Sequence, residues 1–150
     1  QLPERFELEY TDKDGTKKRP IMIHRVCFGS IERFIGILIE HFAGMFPTWL
    51  APVQVKVLPI SEKFTDYAKS VKEQLDMAGI RTEIDNRDEK IGYKIREARN
   101  ERVPYMIVVG EKDMEANKVS LRSRANGEEG QFDLADVIVR VTKELKERAL

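Results

Sequence analysis

The seven residues at 103–109, VPYMIVV, form a nearly unbroken apolar run. A strand that is apolar on both sides suits the middle of a parallel sheet covered by helices, because a strand with one face in water carries polar residues at alternate positions. The run therefore predicts a central strand, and the neighbouring sequence supplies the units to surround it. Val53, Val55 and Val57 alternate with Gln54 and Lys56 as in a strand, and Ser61 then precedes Phe64, Ala68, Val71, Leu75 and Ala78 at helical spacing. Gly79 is placed to end that helix. Residues 80–84 read as a second short strand, and residues 89–100 as a second helix with Ile91, Ile95 and Ala98 on one face.

Beyond the central run, residues 118–124 alternate, with Val119 and Leu121 pointing one way and Lys118, Ser120, Arg122 and Arg124 the other, which predicts a strand with one basic face. Residues 126–130 read as a turn. Asp133 and Asp136 resemble a capping pair before a last amphipathic helix through Leu134, Val137, Ile138, Val141 and Leu145. The order is βαβαββα. Strands alternating with helices predict an α/β fold in three layers, with a mostly parallel mixed sheet of about five strands, since right-handed crossovers place helices on both faces.

The first third of the chain follows another pattern. Residues 11–20, TDKDGTKKRP, have the composition of a hairpin turn, and the apolar run at 21–28 predicts a strand. Gly29 and Ser30 then start a helix to about His41, with Ser30 as its cap. That helix carries Ile31, Phe34, Ile35, Ile37, Leu38, Ile39 and Phe42 on more than one stripe, the pattern of a helix covered on most sides. Two prolines in residues 44–52, GMFPTWLAP, read as a packed linker and place a boundary there, dividing the chain into 1–49 and 50–150.

Charge excludes a simple answer about partners. Lys plus Arg and Asp plus Glu number 26 each in 150 residues, so no global positive charge announces a nucleic-acid binder, and any RNA site has to be local. Cys27 is the single cysteine, which excludes an internal disulfide and an all-cysteine zinc cage and fits a reducing, cytoplasmic setting. The apolar stretch at 28–46 is interrupted by Glu32, Arg33, Glu40 and His41, so no membrane partner is expected. The first ten residues lack a basic lead into an apolar run, and a cut within a longer protein explains them better than a secretory signal does.

Two stretches carry a resemblance. Residues 24–36, HRVCFGSIERFIG, look like the third signature motif of the class II aminoacyl-tRNA synthetases, and GSIERFIGIL followed by FPTWLAPVQV is similar to its threonine-specific members. Residues 86–98, NRDEKIGYKIREA, with Val103, Pro104 and Tyr105, resemble the anticodon-binding domain shared by the threonine, proline, histidine and glycine enzymes. The resemblance implies the strand and helix that end a catalytic domain, followed by an anticodon-binding domain: the C-terminal part of a ligase that joins threonine to its tRNA.

The same resemblance implies roles. His24 matches one of three zinc ligands, the other two lying outside this chain; Cys27, three residues on along a strand, faces the opposite way. Arg33 matches an arginine that contacts ATP, held with magnesium in the full enzyme, and Ser30 matches a position lining the active site. No cofactor is expected on this fragment alone, which is expected to be inactive. Asp88, Lys90, Arg102, Asp113 and Arg122 match contacts to the anticodon loop of the threonine tRNA. At Asp88 some relatives have asparagine, which also donates.

The resemblance also implies a homodimeric full-length enzyme and no DNA partner. A second reading, an accessory or dimerisation module without base reading, draws on the apolar helix at 31–42. A nucleotide or flavin domain is disfavoured because no Gly-rich phosphate loop follows Val57.

Overall fold

The computed structural model describes residues 1–149 and divides into two compact units, Gln1–Gly36 and Ile37–Leu150. In the first, a short helix α1 (Leu2–Arg5) precedes a small antiparallel hairpin of β1 (Tyr10–Thr11) and β2 (Lys17–Lys18). The turn is the one its sequence predicts: Gly15 sits at φ +76, and the Asp14 carboxylate accepts from the Thr16 amide at 2.9 Å. The strand expected at 21–28 does not form. Apolar composition alone does not make a strand; the backbone needs a ladder partner, and among the described residues none pairs with this stretch.

Helix α2 (Ile31–Phe42) forms where expected and buries none of its residues. Ser30 caps it weakly, its Oγ accepting from the Arg33 amide at 3.4 Å while donating to Glu32 at 2.6 Å.

In the second unit, β3 (Val55–Pro59) leads through a 3-10 turn (Glu62–Phe64) into α3 (Thr65–Met77) and β4 (Thr82–Ile84). Helix α4 (Ile91–Asn100), β5 (Tyr105–Val109), a short α5 (Glu111–Ala116), β6 (Val119–Ser123), β7 (Gly127–Phe132) and α6 (Leu134–Glu147) complete it. The five strands run in the order β4-β3-β5-β6-β7, so the 103–109 run is central, as its composition requires. The sheet is mixed but not mostly parallel: β3 pairs in parallel with β4 and β5, whereas β5–β6 and β6–β7 are antiparallel.

Three layers follow from which residues face which way. Val55, Val57, Tyr105, Ile107, Val109, Val119 and Leu121 pack on one face against Ala68, Val71 and Leu75 of α3 and Val137 and Val141 of α6. Leu58 and Met106 pack on the other against Ala98, Ile91 and Ile95 of α4. Burying these side chains supplies the main driving force, at roughly 1.5–3 kcal/mol for each large one.

Four expectations are corrected here. Strand β3 is buried at every position rather than alternately, because Lys56 is covered as well and its ammonium pairs with Glu101. Helix α5 lies where the expected order has no element, since six residues carry too little apolar periodicity to predict one. The expected turn at 126–130 is mostly strand β7, whose sequence GEEGQF offers no apolar alternation, so the βαβαββα order lacks one strand and one helix. Asp133 occupies the N-cap of α6, but its side chain makes no capping bond and lies 3.9 Å from Lys118 instead.

Residues 47–53 are fastened rather than loose. Arg81 donates from Nη2 to the carbonyls of Trp49 (2.9 Å) and Ala51 (2.7 Å), and from Nε to Ala51 and Pro52. The Gln54 side chain bridges the Thr48 carbonyl and the Arg81 amide.

Candidate nucleic-acid interface

Helix α4 covers only part of its side of the sheet. Beyond it, Ser120 and Arg122 of β6 and Glu128 and Gln131 of β7 stand on an uncovered polar half-sheet. Glu128 and Gln131 are three residues apart, so a regular strand would aim them to opposite faces. A register shift beside Leu121 and Arg122, with Gly130 at φ +101, inserts the extra residue that brings both to the same face.

Arg122 is half-buried there. Its Nη1 donates to Glu128 Oε2 at 2.8 Å, while its Nε is sealed from solvent with no acceptor among the described residues. An unpaired buried donor costs about 1–3 kcal/mol, and one sealed from solvent is out of a ligand's reach unless the side chain moves.

Asp113 is on this same face, bonded to Ser120 and Gln131, but is buried rather than displayed. It closes the first turn of α5, Oδ2 accepting from the Gly110 amide at 3.0 Å. Its Oδ1 accepts from Ser120 Oγ at 2.7 Å and from Gln131 Nε2 at 2.8 Å.

The expected basic face on 118–124 does not assemble. Arg124 turns away, donating to the carbonyls of Arg102 and Phe46, both at 2.9 Å. Its burial, and then the Arg102 charge, lowers its pKa from the usual guanidinium range. Arg102 follows α4 at φ +61, a left-handed turn position, with its side chain exposed.

Asp88 and Lys90 lie on the loop between β4 and α4, exposed. Asp88 lines a cavity of about 340 Å³ at the carboxyl ends of β3 and β4, with Ser61, Thr65, Asn86 and Lys94. Crevices of this kind are where open α/β sheets bind ligands.

The loop is held by residues that periodicity did not single out. Arg87 forks onto Asp85 (Nε to Oδ1 2.9 Å, Nη2 to Oδ2 2.6 Å), also pairs with Glu97, and lies over the Tyr93 ring at 5.9 Å. The Arg87 hydrogen bond holds the Asp85 carboxyl below the usual range; Tyr93, then Arg87, does the same for Glu97. Buried Lys94 donates to the Pro59 and Asp85 carbonyls, both at 3.1 Å, locking together the ends of β3 and β4.

The structure thus brings Asp113 and Arg122 to one face of the half-sheet, the first buried beside Ser120 and Gln131 and the second beside Glu128, and sets Asp88 and Lys90 together near the strand ends. Sequence reading missed Gln131 and Glu128, whose odd spacing hides their common face, and Arg87, whose pairing depends on Asp85 and Glu97. His24, Ser30 and Arg33 belong to the first unit and are exposed. Among the described residues no group of three His, Cys, Asp or Glu side chains comes together as a metal site would require. His24 alone does not fit a zinc centre.

The comparisons agree in kind. The family described as "Anticodon binding domain" matches residues 54–144. The "tRNA synthetase class II core domain (G, H, P, S and T)" matches residues 1–42. The chain is 61% identical over 150 residues to the threonine–tRNA ligase of Caldanaerobacter subterraneus subsp. tengcongensis. It is 60% identical over 148 residues to that of Clostridioides difficile. It spans 23% of the length of each of these relatives, and they cover 100% and 99% of it.

Among solved structures it resembles the RNA binding domain of threonyl-tRNA synthetase from Cryptosporidium parvum Iowa II. There the TM-score is 0.71 and the identity 39%, over 95% of this chain and 36% of that one. Prolyl-tRNA synthetase from Cryptosporidium parvum shares the fold, with TM-score 0.66 at 24% identity over 97% of this chain and 32% of the other.

Proposed function

The chain belongs to the anticodon-binding domain family, and on that premise we propose that it reads the anticodon loop of a threonine tRNA as part of a threonine–tRNA ligase. The observation that carries the reading is Arg122, which stands on an uncovered half-sheet with its Nη1 held by the exposed Glu128 carboxylate, a partner that a ligand can displace. Unpaired loop bases expose their edges, and an arginine fork suits the paired acceptors of guanine. Lys90 and Arg102 add contacts to phosphates and base carbonyls from the loop before α4 and the turn after it, while Asp88 and Asp113 accept from base amino and imino groups.

The division at 1–49 and 50–150 separates two jobs. The first part contributes Arg33 to ATP, Ser30 to the lining of the active site, and His24 as one ligand among donors supplied by the rest of the ligase. The whole enzyme works with ATP, magnesium and zinc, in the cytoplasm, as a homodimer. The present chain alone is inactive in ligation, because activation requires several groups placed around ATP at once. No helix among the described residues is long and apolar enough to cross a membrane.

The test is a titration with a threonine anticodon stem-loop. Binding is weak and falls steeply with salt, and Arg122→Ala reduces it more than Lys146→Ala does. Equal affinity for a loop with swapped central bases overturns the reading.

A further inference from the structure

We propose, on the reading of this half-sheet as the RNA interface, that Glu128 is a specificity-determining residue: a displaceable carboxylate that screens Arg122 from RNA phosphates. The two neighbouring glutamates of β7 have different fates. Successive strand residues face opposite ways: Glu129 meets Arg140 of α6 with its side chain 13% exposed, whereas Glu128 meets Arg122 with its side chain 70% exposed. Glu129 is further held by Asn126, whose Nδ2 donates to Oε1 at 3.2 Å. The Glu128 carboxylate has Arg122 as its one partner among the described residues, and the two lie directly opposite each other in the β6–β7 ladder.

An exposed ion pair of this kind adds little to stability, and Arg140 with Glu129 already fastens β7 from the other side. What Glu128 changes is the guanidinium that RNA meets. Nη1 of Arg122 is taken and its Nε is sealed from solvent, so in the free chain it presents no complete fork. An approaching phosphate meets the carboxylate as well, and like charges at close range repel. To reach Arg122 it must displace Glu128, which exchanges one ion pair for another with little net gain. An unpaired base carries no charge, so it approaches without that repulsion and its acceptors can take over the guanidinium. The carboxylate therefore weakens RNA binding in general, and most where only phosphates are on offer, which is how an unfavourable group creates selectivity.

The experiment titrates the chain with a threonine anticodon stem-loop, with the same loop carrying swapped central bases, and with single-stranded polyuridine. Wild type is compared with Glu128→Gln, Arg122→Ala and the double variant, each checked for an unchanged circular dichroism spectrum. Glu128→Gln keeps the length of the side chain and leaves a neutral hydrogen bond, weaker than the charge-assisted one. It is expected to bind the swapped loop and polyuridine about tenfold more tightly and the threonine loop only about threefold, and to steepen the salt dependence by about one counterion. The preference for the threonine loop falls accordingly.

In the Arg122→Ala background the same substitution is expected to change affinity by less than about twofold, because without the arginine no phosphate is drawn to that place. Tightening of equal size with and without Arg122 overturns the proposal, since Glu128 then acts by general repulsion. Unchanged or weaker binding of the swapped loop by Glu128→Gln overturns it as well. If Glu128→Gln binds the threonine loop equally well with and without Arg122, it is the interface reading that fails.

Discussion

Arg140 of α6 grips Glu129 of β7 with two hydrogen bonds, Nη1 to Oε2 at 2.5 Å and Nη2 to Oε1 at 3.2 Å. The pair joins the last helix to the edge strand, next to the bulge that sets the face of Gln131. Edge strands with weak apolar patterning need such fastening, because only one neighbour supplies ladder bonds. Tyr105 extends the contact, donating its hydroxyl to Glu144 while the Arg140 guanidinium lies 5.3 Å from its ring centroid.

This pair makes stability depend on acid. The Arg140 hydrogen bonds hold the Glu129 carboxyl at about 2, against an ordinary value of 4.5. A depressed carboxylate stabilises the fold above its unfolded value, and that contribution fades as pH falls from 4.5 toward 2. It is worth about 1–3 kcal/mol, given that Arg140 is partly exposed. Urea melts at pH 6 and pH 2.5 are expected to differ less for Glu129→Gln than for wild type; an equal difference would place the acid sensitivity elsewhere.

Gly130→Ala tests the bulge. Nothing lies within 4 Å of a Cβ built there, so crowding is not the obstacle; the backbone at φ +101 is. A side chain in that region costs about 1–3 kcal/mol. Thermal melting is expected to shift down accordingly, and loop binding to weaken with it, since the bulge aligns Glu128 with Gln131. An unchanged melting temperature would mean that β7 shifts register without penalty.

Lys56 and Glu101 predict an asymmetry. The Lys56 side chain is 9% exposed and Glu101 49% exposed. Removing the carboxylate by Glu101→Ala strands a buried ammonium and is expected to cost about 1–3 kcal/mol. Lys56→Met removes the charge itself and is expected to be neutral or stabilising. Denaturant midpoints decide it, and a Lys56→Met variant less stable than Glu101→Ala would count against the argument.

Arg87→Ala is expected to free the loop at 86–90 without unfolding the domain. Amide exchange should quicken there and stem-loop affinity fall several-fold, while global stability drops by about 1–3 kcal/mol, because the Asp85 carboxylate, 3% exposed, loses its fork. Arg87→Lys is not expected to rescue the loop, since one ammonium cannot fork onto Asp85 and reach Glu97 together. Unaltered exchange at 86–90 would show that Lys94 alone holds the loop.

Much of this is legible in the sequence. The run at 103–109 is central because its composition leaves no polar side to face water. The helices at 65–77, 91–100 and 134–147 announce themselves through apolar spacing, and Gly79 stops the first of them at φ +79. Strand β7 was not legible, because GEEGQF has neither alternation nor β-branched residues and is held by its partner β6 and by Arg140. The strand expected at 21–28 erred the other way, having strand composition and no strand beside it.

The candidate site divides along the same line. Sequence by itself determined the layered α/β core, which follows from local pattern, and the family likeness, which is what singles out positions 88, 90, 102, 113 and 122, with strand alternation adding support at 122 alone. Only the tertiary structure decided that Asp113 lies buried beside Gln131, that Arg124 leaves the face on which Arg122 stands, and that a bulge turns Gln131 outward. Those outcomes depend on contacts between residues 7 to 78 positions apart, and no local periodicity encodes them.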